Sequence, residues 1–189
     1  MNMVNLQDAI NRLLGCRDSG DGSTLPKLLQ ELDVNLLLHE ERLDSFFDGL
    51  LGLLDDRKFL ALEESWHLAY LINNHWDELT TEQRERLRTI LAGAFDRFRN
   101  WMGAFVTAEI FGDHCADERG FNTLRGLSET ANLPSRALVP HGLVCLVRSA
   151  TDERLRASAV ELLRDLSTDE NEQVRDEAII SLRDLDLEI

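Results

Sequence analysis

The chain has 189 residues, is 43% hydrophobic and 29% charged, and carries a formal net charge of −15. That length serves one domain with a sizeable core, or a short array of repeats. Abundant leucine without long polar tracts excludes a disordered chain, and the surplus of acid repels nucleic acid and anionic membrane surfaces. Residues 1–57 hold 11 acidic and five basic side chains, residues 58–149 hold 12 and ten, and residues 150–189 hold 12 and five. The two ends are therefore acidic and the middle is near balance. Such a field speeds encounter with a basic partner. Cys16, Cys115 and Cys145 are far apart, odd in number and without a C-x-x-C pair, so no disulfide framework is expected. The start, "MNMVNLQDAINRLLGCRD", lacks a basic stretch followed by an apolar core. No apolar run reaches the length of a membrane span. A cytoplasmic protein is expected.

Helical periodicity runs along most of the chain. Val4, Leu6, Ile10, Leu13 and Leu14 share a face over residues 3–15. "RDSGDGS" (17–23) then breaks the pattern. Ser23 or Thr24 is placed to cap a second helix, with Pro26 in its first turn, running to about His39. Residues 42–56 predict a third helix. Residues 58–76 predict a fourth, striped by Phe59, Leu62, Trp66, Ala69 and Ile72. Thr80 and Gln83 have the spacing of a capping box, opening a helix from Thr81 to about Asn100. "WMGAFVTAEIFG" (101–112) predicts a short buried helix and "DHCADERG" a turn. "FNTLRGLSETANL" has helical spacing weakened by Gly126.

From residue 133 the pattern repeats. "SRALVPHGLVCLVRSA", "DERLRASAVELLRDL" and "DENEQVRDEAIISLRDL" are three successive helical units. Arg136, Arg156 and Arg175 recur at intervals of about twenty. At about 100° per residue, Val174, Ala178, Leu182 and Leu185 fall on one stripe, as do Leu155, Ala159, Leu163 and Leu166. Each unit is too short to be a stable helix alone, and stacked units bury one continuous seam. The mid-stripe alanine admits a close neighbour. Ser167-x-x-Glu170 has the form of a capping box for the last unit. Each arginine lies at the stripe's edge, where its head can pair with an acid of the next unit.

The unit, an acid, then [Leu/Val]-Arg-x-x-Ala-x-x-x-Leu, resembles the HEAT and HEAT-like (phycobilisome-lyase type) repeat. The resemblance covers residues 131–189, with a looser copy in "RLRTILAGAFDRF". It implies an all-α chain, an α-solenoid of antiparallel helix hairpins. Its N-terminal two thirds are irregular. A single domain over residues 1–189 is expected, with the irregular part at 1–130. The resemblance also implies a surface offered to another macromolecule, as in an adaptor, chaperone or assembly scaffold, and more remotely a lyase.

Candidate chemistry is sparse. Glu64-x-x-His67 has the spacing of a di-iron ligand pair but lacks a second such motif. Asp113, His114 and Cys115 share one short stretch, which suits a structural turn better than a nucleophile and its base. His39, His75 and His141 have no partner at metal-ligand spacing. No cofactor, metal or catalytic set is expected, and the chain is read as not an enzyme. The acidic rows are the better candidate. Glu172 and Asp176 lie opposite the buried stripe of the last helix, and Glu153 and Glu161 opposite that of the helix before. Ile180 breaks the polar rule, standing where the preceding unit has Glu161. Packing by the tail "DLDLEI" is the expected explanation, with an exposed anchor as the other. These five residues are the candidate partner-binding site. The expected role is that of a bacterial immunity protein, neutralising a basic toxin through an acidic face.

Overall fold

The computed structural model describes residues 6–37 and 43–187, and every regular element among them is helical. Val4, His39 and the last two tail residues of the expectations above lie outside the described residues. The chain divides into two compact units, residues 1–103 and residues 104–189. The repeat-like stretch 131–189 falls inside the second.

The first unit holds α1 (Leu6–Ser19), α2 (Leu25–Leu37), α3 (Asp44–Leu54), α4 (Arg57–Leu60), α5 (Trp66–Asn74), a 3-10 turn (Trp76–Glu78) and α6 (Thr81–Ala94). α1 ends at Gly20, whose φ of 71° suits glycine above other residues. Leu13, Leu25, Leu32, Phe47, Leu50, Leu54 and Phe59 are fully buried. They come from α1 to α4, which is how α1 packs on α2, α3 and α4. Thr24 is not seen capping α2 with its side chain; its hydroxyl lies 3.4 Å from Cys16 Sγ.

The single helix expected over 58–76 is two. Asp56 caps α4 by accepting from Lys58 N–H at 2.8 Å. The helix then stops at Leu60, because other donors take that carbonyl. Ser65 Oγ donates to it at 3.3 Å, and so does the Arg99 amide at 3.3 Å. Phe59, Leu62, Ala69 and Ile72 are still buried, so the stripe survives the break. The capping box at Thr80 is present. Thr80 Oγ1 accepts from Gln83 N–H at 3.1 Å, and Gln83 Oε1 accepts from Thr80 N–H at 3.0 Å. Gln83 also donates to the Asp44 carbonyl at 2.7 Å, tying the start of α6 to the start of α3. α6 ends at Ala94 rather than near Asn100. Phe95 and Phe98 turn inward past its end and are buried.

The second unit holds α7 (Trp101–Asp113, begun just ahead of the division), α8 (Glu118–Leu127), α9 (Leu133–Arg136), α10 (Val139–Ser149), α11 (Glu153–Leu166) and α12 (Glu172–Asp184). Asp117, Asp152 and Asn171 cap α8, α11 and α12 with their side chains. The capping box expected at Ser167 does not form. Ser167 closes α11 instead, donating its hydroxyl to the Arg164 carbonyl at 2.7 Å. The stretch 135–150 is likewise two helices, interrupted at Ala137 and Leu138, with Pro140 in the first turn of α10. Proline has no N–H and suits a helix start.

α10, α11 and α12 are in mutual contact, and α8 packs on α10 and α11. Of the two expected stripes, Ala159, Leu163, Val174, Ala178 and Leu182 are fully buried and Leu166 is buried, while Leu155 and Leu185 are half-buried. The arginines at the stripe edges differ. Arg136 forms an ion pair with Asp169, ahead of α12. Arg175 donates to the Asp169 carbonyl at 3.0 Å. Arg156 turns back to Glu153 of its own helix at 2.9 Å.

α7 and α10 meet at glycine. A Cβ on Gly112 would lie 2.2 Å from the Gly142 carbonyl oxygen and 2.5 Å from Cys145 Cβ. Backbone cannot yield that far, so Gly112→Ala is expected to destabilise the protein by about 2–3 kcal/mol. Gly126, where a Cβ meets nothing within 4 Å, should gain up to about 1 kcal/mol on replacement by Ala. Urea titrations followed by circular dichroism compare the two. Equal midpoints for Gly112→Ala and the parent would refute the close approach.

Candidate functional site

The buried stripes of α11 and α12 fix which way their other faces look. Glu153 and Glu161 on α11 are exposed, and so are Glu172 and Asp176 on α12. Ile180 is 49% exposed. The expectation that the tail covers Ile180 is therefore corrected. Asp186 takes a positive φ of 55°, and Leu187 N–H reaches back to the Leu182 carbonyl at 3.0 Å. That is a Schellman-type closure, and it folds the described tail back on the end of α12. Of the four acids, Glu153 is partly neutralised by Arg156. Glu161, Glu172, Asp176 and Ile180 are thus exposed on the sides of α11 and α12 away from the buried stripes, and Arg154, Arg164 and Arg183 are exposed on the same two helices.

Glu64 and His67 do meet, with Oε2 and Nε2 3.3 Å apart. Burial pushes the His67 imidazole below its ordinary range, and Glu64 only partly opposes this. Asp113 Oδ1 accepts from Ser149 Oγ at 3.0 Å. Cys115 is buried just past the end of α7, its carbonyl accepting from the Asp117 amide at 2.7 Å. These bonds belong to a turn.

Two constellations escaped the sequence reading. Cys145 and His141 are one turn apart on α10, with Sγ 3.7 Å from Nε2. The His141 ring stacks on Phe105 at 4.2 Å. This spacing was visible in "HGLVC". It is not an activated thiol, however. Burial, then the charges of Asp113 and Glu109, push the Cys145 thiol up to about 12. Burial also pushes His141 down, so the neutral imidazole does not offset those carboxylates. A nucleophilic cysteine needs the opposite shift. The second constellation is in the first unit. His75, 1% exposed, places Nε2 2.9 Å from Asp33 Oδ1 and Nδ1 2.6 Å from Glu78 Oε1. Asp33 is 42 residues away in sequence, so only the fold reveals it. Among the described residues no group of three or more His, Cys, Asp or Glu side chains is arranged to hold a metal. No helix among them is long and apolar enough to cross a membrane.

Comparison with protein families, with characterised proteins and with solved structures finds no match for the chain. The resemblance to HEAT-like repeats rests on the residues quoted for it.

The three cysteines are all buried, and the Cys145 shift carries a pH dependence. Its folded-state value stands above the ordinary thiol value of 9.0. The stabilising effect is fully present below pH 9 and is lost as pH rises toward 12, because unfolding then releases a proton. Native protein at pH 8 is therefore expected to leave Cys145 unmodified by a disulfide reagent, while denatured protein reacts at all three cysteines. Peptide mapping of the modified chain checks this. Rapid native labelling of Cys145 at pH 8 would show an exposed or activated thiol.

Proposed function

We propose that this chain is a non-enzymatic protein-binding module, and that the outer face of α11 and α12 receives a basic partner. The observation that carries the reading is the exposure of Glu161, Glu172 and Asp176 together with Ile180, on helices that bury Ala159 and Leu163, and Val174, Ala178 and Leu182, on their other sides. Charge of one sign steers an oppositely charged partner and raises its rate of association. An aliphatic side chain set among the charges supplies area that can be desolvated on contact. The partner class that fits is a basic protein, and the concrete role is that of an immunity protein occluding a basic toxin such as a nuclease. Glu153 contributes at the edge of the face.

The HEAT-like solenoid belongs to the same proposal. Supporting it are the recurrence of the stripe in α11 and α12 and the contact of α10 with both. In such a stack each helix buries one side against its neighbours and leaves the other for a partner.

The immunity role requires a gene for a basic toxin domain beside this chain's gene; its absence would remove that role, and where it stands there that domain is the binding partner to test. Its association rate should fall steeply as salt is raised. Reversing Glu172 and Asp176 together to Lys should slow association at least about tenfold. Ile180→Ser should leave association unchanged and raise dissociation by about tenfold. Surface plasmon resonance resolves the two rates. Association indifferent to salt and to the double reversal would remove the acidic face from the interface.

A further inference from the structure

α2 and α5 lie side by side in the first unit. Gly22, just ahead of α2, sits against Leu62, where a Cβ would come within 3.4 Å of Leu62 Cβ. Asp33 near the other end of α2 meets His75 at the end of α5. The sequence offset changes little between those contacts, so the helices run parallel in near register. Along their outer flanks is a cleft of about 610 Å³, the size that holds a small organic molecule.

Its floor is apolar, made by the buried Leu29 and Leu71. Tyr70, 47% exposed, stands at its side. The Asp33 carboxylate lines the cleft, and so do two side-chain amides that can each turn an oxygen toward it, Gln30 one turn earlier on α2 and Asn74 next to His75 on α5. Asp33 is held in place rather than loose. The buried His75 fixes its Oδ1, and Glu78 fixes His75 from the other side. Its second oxygen has no part in that contact, and the side chain is 31% exposed.

Asp33 is the one carboxylate lining the cleft, and two more carboxylates stand behind the lining, Glu64 at 3.3 Å from His67 and Glu78 at 2.6 Å from His75. The one cation lining it is Lys27, whose side chain is 84% exposed and lies weakly against Glu31 at 4.0 Å. Lys27 is six residues from Asp33, a helical rise of about 9 Å, so it stands toward the other end. His67 adds no positive charge near pH 7, since burial depresses its protonation.

We propose that this cleft binds a small organic cation, a primary ammonium on an aromatic or aliphatic body. An ammonium has three N–H donors and no acceptor. The Asp33 carboxylate and the amide oxygens of Gln30 and Asn74 supply three acceptors at one end. The apolar body lies over Leu29 and Leu71, and the Tyr70 ring favours a nearby cation. The site lies in the first unit and is independent of the role proposed for the second.

Isothermal titration of the whole chain with 2-phenylethylammonium tests this. 2-Phenylethanol and 3-phenylpropionate carry the same body without the cation. The ammonium should bind, the alcohol should bind at least about tenfold more weakly, and the carboxylate more weakly again. Tyr70→Ala and Asn74→Leu alter exposed side chains, so both should keep the parent melting curve while weakening the ammonium at least about fivefold. Asp33→Asn should weaken it at least about tenfold, but it also releases His75 and is read beside its melting curve. Three results would each overturn the proposal. One is no binding of the ammonium up to about 10 mM, beyond the millimolar range. Another is equal binding of the carboxylate. The third is unchanged affinity in both Tyr70→Ala and Asn74→Leu.

Discussion

Short helices govern this molecule. The longest described, α1, α6 and α11, have 14 residues, and α4 and α9 have four. Isolated helices below about 12–15 residues are marginal in water. Burying a leucine contributes about 1.5–3 kcal/mol, so a stripe of three buried apolar residues outweighs any capping bond of about 1 kcal/mol. Each helix therefore exists because a neighbour covers its stripe. Where two must come closest, the side chain is removed altogether, as at Gly112 and Gly142. The caps then decide where each helix starts and stops, which is a smaller energy but a sharper position.

That division of labour determines which acids are available to a partner. Asp152 spends its carboxylate on the start of α11, and Asp169 accepts from Arg136 and from the Asn171 amide at 2.8 Å. Asp117 is committed to α8. The excess of acid over residues 150–189 is thus partly structural. What stands outward on α11 and α12 is a subset, and Arg154, Arg164 and Arg183 are exposed on the same helices. Steering depends on the summed field, whereas a close contact depends on the particular side chains at the face. The first follows from composition and the second from the stripe.

The stripes were legible because burial follows the 3.6-residue period, and Ala159, Leu163, Ala178 and Leu182 are buried as that period requires. The box at Thr80 was legible because both its bonds are local. The interruption after Leu60 was not. It depends on the Arg99 amide, 39 positions further on, and on Ser65 folding back to the same carbonyl. Ser167 illustrates a local ambiguity: a hydroxyl between two helices can serve the one ending or the one beginning, and here it serves the first. The Asp33–His75–Glu78 arrangement joins a one-turn pair to a distant residue, so only half of it was visible in sequence. The Cys145–His141 pair was fully visible, but its chemistry was not. What silences the thiol is burial together with Asp113 and Glu109, which are on another helix.

Ile180 separates packing from other demands. It occupies the register that Glu161 occupies one unit earlier, and both positions are exposed. Since α11 accommodates a carboxylate there, packing of the stripe does not require an aliphatic side chain at that register. The tail does not require it either, for Leu187 closes onto Leu182 by a backbone bond. An isoleucine that is 49% exposed gains only part of its burial from the fold. The same side chain gains on any event that covers it, and in the proposed function that cover is a basic partner.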